Sequence, residues 1–473
     1  MTPQRLPSGN PQLDAVLGGG LLANAINLLA GPPGSGKTIL AQQYAFRNAT
    51  AEHPAVYFTT VSEPLEKVLR YGQTMAFFDA KVIGRSVFYE DLGRLLTTDG
   101  LTGVLDRVNA NIKERHPGII VIDSFKALQP YAADEGKFRR FLHGLASSLS
   151  AFPATSFWIG EYDPTELSGA PEFAVADAII SLSSEQVGQR ELRVLQVHKL
   201  RGSGFLSGRH AYRLSAGGMQ VFPRLADPGQ AASYQLAGER ISSGIAALDT
   251  MLRDGYWPGA ATLVAGPTGT GKTVAGLHFI FAGARRGEPG VVATLQENPT
   301  QLERVAQGFG WSLAENGVEL LYRSVVDLYV DQWVYELLAT IQRTGARRVL
   351  IDSLNDLAFG AADRARYHEY LYSLVQRCAR EGVSLMMTLE LMDLFHPARL
   401  SDLAVSHLAD NVVVLRYLRW RSGLKRTLTV LKTRASLHEP EVREFTITPE
   451  GGIVLGDAVI DGAAIGPEST PAT

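Results

Sequence analysis

Two copies of the pattern Gly-x-x-x-x-Gly-Lys-Thr, set 235 positions apart, constrain this chain more than any other feature. The first is Gly31-Pro-Pro-Gly34-Ser35-Gly36-Lys37-Thr38 and the second Gly266-Pro-Thr-Gly269-Thr270-Gly271-Lys272-Thr273. The same offset relates Ser8-Gly9 to Ser243-Gly244 and Leu13-Asp14 to Leu248-Asp249. Further on, the run ending Ile122-Asp123-Ser124 recurs as Ile351-Asp352-Ser353, and His198-Lys199-Leu200-Arg201 as Leu431-Lys432-Thr433-Arg434. A length of 473 residues would allow about three domains. The long-period repeat instead divides the chain into two copies of one domain, 1–225 and 239–455. Between them, 226–238 is rich in Ala, Gly and Gln and is expected to be a linker. Residues 456–473 carry no apolar periodicity and are expected to be a disordered tail.

Within each copy, short continuous apolar runs alternate with helical patterns. Ala25–Ala30, Ala55–Thr60 and Ile119–Ile122 are such runs. Strands of this kind are buried on both faces, so each copy is expected to be an α/β domain with a mostly parallel sheet flanked by helices. The late runs lie close together, with Ser184–Gln189 and Ser422-Gly423 as connecting turns, which predicts antiparallel hairpins at one sheet edge.

Each Gly-rich segment follows an apolar strand and opens a helix, the context that gives the motif its chemistry. The glycines allow consecutive backbone N–H groups to turn inward around phosphate, and the helix N-terminus adds its positive end. Lys37 and Lys272 are placed to neutralise β/γ-phosphate charge, and Thr38 and Thr273 to put a hydroxyl on Mg²⁺. Asp123 and Asp352 end hydrophobic strands, where a carboxylate holds Mg²⁺ directly or through water, although an aspartate there also suits a helix cap. ATP and Mg²⁺ are therefore the expected ligands of both copies. Serine follows each aspartate, so a water-activating carboxylate must come from another strand. Glu63, 26 residues after Lys37, and Glu297, 25 after Lys272, stand at the end of the next strand. Each also lies in the N-cap region of a following helix, since Pro64 and Pro299 suit helix starts. Glu161 and Glu390, after the strand that follows the aspartate, are the next carboxylates to consider.

With these motifs in hand, the chain resembles the KaiC family of RecA-type ATPases over almost its whole length. The marks are Ser-Gly-x-x-x-Leu-Asp opening each copy, Glu172–Asp177, Ser406–Asp410, and the endings Lys199-Leu-Arg201 and Lys432-Thr-Arg434. The resemblance implies two tandem RecA-like P-loop domains and a homohexamer with ATP at subunit interfaces. It further implies that Lys199, Arg201, Lys432 and Arg434 reach the γ-phosphate of a neighbouring subunit's nucleotide. Two departures stand out. The family's Glu-Glu pair is Ser62-Glu63 and Gln296-Glu297 here, and an ungapped alignment puts Val61-Ser62 in its place in the first copy. The family's paired Ser-Thr phosphorylation site is Ser406-His407, which leaves one hydroxyl for an autokinase reaction.

Three functions remain open at this point: a ring-forming regulatory ATPase with regulatory protein partners, a nucleotide-gated scaffold with little hydrolysis, and a DNA-processing motor. The last draws on the basic and aromatic stretch Arg416–Arg426, which serves equally as a charged hairpin protecting a sheet edge. A net charge of −3 disfavours a nucleic-acid coat. The single cysteine, Cys378, allows no internal disulfide and is expected to be a buried small hydrophobe. With no secretory signal and no apolar run of bilayer length, the expected location is the cytoplasm, with no membrane contact.

Overall fold

The computed structural model describes residues 4–61, 65–163, 166, 169–187, 190–225, 238–313, 317–361, 364–392, 405–420 and 423–459. The chain forms two compact units, Met1–Arg224 and Leu225–Thr473. The first holds a nine-stranded sheet in the order Val87–Asp91, Ala55–Thr59, Ile119–Asp123, Thr155–Gly160, Ile26–Ala30, Ala178–Val187, Arg190–Leu200, Arg209–Ser215, Gly218–Phe222. The first six strands are parallel neighbours and the last three join antiparallel. The second unit repeats the order with Val318–Tyr322, Gly290–Thr294, Arg348–Asp352, Ser384–Glu390, Ala261–Gly266, Asn411–Trp420, Gly423–Thr433, Val442–Thr448 and Gly452–Val459. This is the tandem α/β architecture that the repeat and the apolar runs predict, antiparallel edge included.

Continuous apolar strands are explained by two-sided burial. Leu28, Val56, Ile120 and Trp158 pack on one face of the first sheet with Val108, Leu142 and Leu145. Their chain neighbours Leu29, Tyr57, Val121 and Phe157 pack on the other with Leu13, Leu40 and Tyr44. Side chains alternate across a strand, so a strand covered on both faces needs an apolar residue at every position. The second sheet follows suit, with Val264, Val292 and Leu350 on one face and Leu263, Val291 and Val349 on the other. Cys378 is buried in the helix Arg364–Arg380, where burial pushes its thiol up to about 12.

The hairpins outrun their apolar cores. Val187 pairs with Arg190 and Trp420 with Gly423, so Ser184–Val187 and Gly423, expected in turns, are strand. Ladder hydrogen bonds continue where the face turns polar, and hydropathy does not register them. The final strand likewise runs through Val459, past the point where apolar periodicity ends. Residues 226–237 and 460–473 lie outside the described residues. Among those described, no helix is long and apolar enough to cross a membrane.

His278 ties the second unit together. Its Nδ1 is 3.1 Å from the Gly244 carbonyl, and its Nε2 accepts from the Ile453 N–H at 2.9 Å. An accepting Nε2 fixes a neutral ring with the proton on Nδ1. Burial lowers its pKa to about 4, opposed by the Gly244 hydrogen bond and helped by Arg285. A folded value below the unfolded one means that only the unfolded chain takes up the proton between the two. The stability of the second unit is therefore complete above the ordinary histidine range of about 6.5 and falls as pH drops toward 4, by on the order of 3 kcal/mol from this group. Urea unfolding at stepped pH should show that slope in the native chain and a flatter one in His278→Gln.

Candidate active sites

Each phosphate loop is built at the C-terminal end of the central parallel strand. Ile26–Ala30 runs into the loop and Lys37–Asn48 leaves it; Ala261–Gly266 and Lys272–Ala284 do the same in the second unit. Gly36 (φ 90°) and Gly271 (φ 103°) stand at the two helix N-caps in the left-handed region, where a side chain is strained. A Cβ would also come within 2.9 Å of Leu214 at Gly36 and 2.7 Å of Ile447 at Gly271. Gly34 and Gly269 share the same sense, each with φ 73°. Among the described residues neither helix has a side-chain cap, which leaves its first N–H groups facing the loop. Lys37 Nζ donates to the Gly31 and Pro32 carbonyls at 2.9 and 2.8 Å, and lies 3.5 Å from Ser35 Oγ. Lys272 Nζ donates to the Pro267 carbonyl at 2.9 Å, and Thr270 Oγ1 donates to the same oxygen at 2.7 Å. Burial lowers the Lys272 pKa, against the attraction of Glu390 and Asp352.

The threonine and aspartate of each copy meet. Thr38 Oγ1 donates to Asp123 Oδ2 at 2.7 Å, and Thr273 Oγ1 to Asp352 Oδ2 at 2.7 Å. A hydroxyl and a carboxylate side by side, next to a glycine-built loop, form the hard oxygen donor set that Mg²⁺ takes while keeping water and phosphate ligands. The residues present thus fit Mg-ATP in both units. The peptide after each aspartate is cis.

The surroundings of the two aspartates differ. Tyr57, fully buried, donates to Asp123 Oδ2 at 2.6 Å. Asp123 itself is 2 % exposed, and burial raises its pKa against the hydroxyls of Tyr57 and Thr38 and the charge of Lys37. In the second copy Val292 occupies the register position of Tyr57, and Thr388 donates to Asp352 Oδ1. Glu297 is half-buried and its Oε2 has no hydrogen-bond partner among the described residues. Burial and the charge of Asp352 raise its pKa. Glu63 lies outside the described residues. Glu161 is exposed, whereas Glu390 is half-buried and clasped to Asn355 through both its backbone N–H and its carbonyl.

Lys199, Arg201, Lys432 and Arg434 contact carbonyls of their own chain. Lys199 Nζ donates to Phe173 and Ala174, and Arg201 to Ala174 with Asp177 as its ion pair. Lys432 Nζ donates to Ser406 and Ala409, and Arg434 to His407 with Asp410 as its ion pair. The second copy thereby repeats the arrangement of the first, and Ser406 sits in the turn that Lys432 holds.

Two arginines were not foreseen from the motifs. Arg193 donates to the Gly34 carbonyl at 2.9 Å, and Arg426, at the corresponding hairpin position, lies 3.4 Å from the Gly269 carbonyl. Tyr212 OH adds a 2.6 Å bond to the Ser35 carbonyl. Only the equivalent positions of Arg193 and Arg426 in the repeat could have drawn notice. In the basic hairpin Arg416–Arg426, Arg426 thus faces the loop and Lys425 pairs with Glu444 at 2.7 Å.

Comparison with known proteins agrees with this picture. The family model described as "ATPase: KaiC" matches residues 6–226 and 241–459. The circadian clock oscillator protein KaiC of Picosynechococcus sp. (strain ATCC 27264 / PCC 7002 / PR-6) is 26% identical over 463 residues, covering 94% of this chain and 88% of that protein. KaiC of Synechococcus elongatus (strain ATCC 33912 / PCC 7942 / FACHB-805) is 26% identical, with 93% and 86% covered, and the circadian clock protein KaiC3 of Synechocystis sp. (strain ATCC 27184 / PCC 6803 / Kazusa) is 26% identical, with 95% and 91% covered. Two matched halves, each centred on a phosphate loop with its threonine–aspartate pair, make this chain a member of the KaiC ATPase family.

Proposed function

We propose that the chain is a ring-forming regulatory ATPase of the cytoplasm that binds one Mg-ATP in each copy and hydrolyses ATP. The observation that carries the reading is the threonine–aspartate contact beside a glycine-built loop, present twice with the same 2.7 Å distance. Backbone N–H groups from Gly34 to Thr38 and from Gly269 to Thr273 cradle phosphates, and Lys37 and Lys272 turn from loop carbonyls to phosphate oxygens. Thr38 with Asp123, and Thr273 with Asp352, would hold Mg²⁺, which supplies positive charge against the phosphates when bound. Glu297 takes a proton from the attacking water, a role suited by its Oε2, which has no partner among the described residues. By motif, Glu63 is the first-copy candidate.

Ring closure follows if Lys199, Arg201, Lys432 and Arg434 exchange their own-chain carbonyls for a neighbour's γ-phosphate, where positive charge meets charge developing in the transition state. A ligand bound between subunits stabilises the assembly by mass action, so assembly should track ATP concentration. Mass measurement without and with ATP tests this, with a defined multimer expected at saturating ATP; a strict monomer there refutes the ring. Phosphate release on the same samples decides hydrolysis, and its absence leaves the scaffold. With γ-labelled ATP, label that disappears in Ser406→Ala identifies an autokinase. The DNA motor is disfavoured by the engaged hairpin charges Lys425 and Arg426, and a salt-dependent DNA-binding titration tests it.

A further inference from the structure

Side chains alternate across a strand, so Tyr57, Val121 and Asp123 share one face of the first sheet. Tyr57 pairs with Val121 and Thr59 with Asp123, which sets Tyr57 one diagonal step from the aspartate. The helix Lys37–Asn48 packs on that same face and brings Thr38 in its first turn. Side chains from two strands and a helix thus converge at Asp123.

Two hydroxyls meet there on a single carboxylate oxygen. Thr38 Oγ1 donates to Asp123 Oδ2 at 2.7 Å, and Tyr57 OH donates to it at 2.6 Å. A threonine hydroxyl has one hydrogen and two lone pairs. With its hydrogen committed to Asp123, the lone pairs of Thr38 are left for a cation. That alignment lasts only while the carboxylate keeps its angle, and the Tyr57 hydrogen bond opposes its rotation.

Tyr57 is itself held in place. Tyr89 is its register partner on the neighbouring strand, with the ring centroids 5.2 Å apart. Gln42, on the helix, points its Nε2 at Tyr89 OH, 3.4 Å away, and at the Val68 carbonyl, 3.3 Å away. In the second copy Val292 and Leu320 take the places of the two tyrosines, so the fold requires neither phenol. A fully buried hydroxyl that packing does not require therefore bears on the carboxylate beside the phosphate loop.

We infer that Tyr57 is a positioning residue for the divalent cation of the first site: through Asp123 it fixes the Thr38 hydroxyl in the orientation that receives Mg²⁺. The inference rests on the Mg-ATP reading above. Groups that orient metal-holding side chains from behind contribute about 10–100-fold in metal affinity. Phenylalanine keeps the ring and its contact with Tyr89 and removes the one hydrogen bond.

The test is a Mg²⁺ titration read by the amount of a slowly hydrolysed ATP analogue that the protein retains. In Tyr57→Phe, half of the retained nucleotide should keep the native Mg²⁺ midpoint and half should need about 10–100-fold more Mg²⁺. With Lys272→Ala added, all that remains should show the shifted midpoint. At saturating Mg²⁺ Tyr57→Phe should still hold two equivalents, which shows that it has folded and separates a metal effect from a damaged loop. Repeating the titration with Mn²⁺ should shift the midpoint in the same direction. Native midpoints in Tyr57→Phe overturn the inference. A first site that stays empty at every Mg²⁺ concentration overturns it too, because the hydroxyl is then a structural bond. A native chain that retains nucleotide equally with and without Mg²⁺ overturns the Mg-ATP reading itself, so the two failures are distinguishable.

Discussion

Lys272→Ala is expected to weaken nucleotide binding by the second copy about 10²–10³-fold and leave the first copy loaded, and Lys37→Ala to do the reverse. Each ammonium is held in the loop by carbonyls, Gly31 and Pro32 for Lys37 and Pro267 for Lys272, so it already sits where the phosphates must come. A hydrogen bond to a charged group contributes about 1.5–3 kcal/mol, and two such bonds from an ammonium to phosphate oxygens would amount to about 3–4 kcal/mol after partial overlap. Alanine also removes the positive charge that offsets phosphate repulsion, while the glycine-built backbone stays intact. Titration calorimetry with a slowly hydrolysed ATP analogue should find two sites in the native chain, one in either variant and none in the double variant. Two retained equivalents in the double variant would end the assignment of these loops.

Arg348→Ala should cost about 3–5 kcal/mol of stability, which shifts the folding equilibrium of the second unit by more than two powers of ten. This guanidinium is 1% exposed. It donates to Glu288 at 2.8 Å, to the Ser242 carbonyl at 2.7 Å and to the Phe279 carbonyl at 3.0 Å. It also lies over the Phe279 ring. Truncation strips donors from two carbonyls, leaves Glu288 without its ion pair and opens a cavity. The first copy has Ile119 at the equivalent strand position, also buried, so the fold does not require an arginine there. Arg348→Met, which keeps the volume, should recover part of the loss. Urea unfolding followed by tryptophan fluorescence measures both, and an unchanged midpoint in Arg348→Ala would show that the buried charge contributes nothing net.

The sequence made the fold legible because two strong signals agreed. A phosphate loop requires a strand before it and a helix after it, and uninterrupted apolar runs such as Ile119–Ile122 require cover on both faces. Repetition then excluded chance. The lengths of the late strands were not legible, since Ser184–Val187 and Gly423 pair through backbone groups that hydropathy ignores. At the site, local motifs gave Lys37, Thr38, Lys272 and Thr273, and strand ends gave Asp123 and Asp352. Tyr57 and Thr388 looked like ordinary strand residues, and only the sheet registers turn their hydroxyls toward the aspartates.

The antiparallel edge has a consequence for the order in which the protein is made. Ser35 receives the Tyr212 hydroxyl from 177 positions downstream, and Gly34 receives Arg193 from 159 downstream. Leu214 lies against Gly36, where Ile447 lies against Gly271 in the second unit. A phosphate loop is thus among the first pieces of each copy to leave the ribosome and among the last to be finished. Until the closing strands arrive, the loop lacks its roof, and contacts of such long sequence separation are slow to form. The nascent chain therefore acquires a completed nucleotide cradle only when each half has been synthesised almost to its end, which ties competence for ATP to completion of the fold.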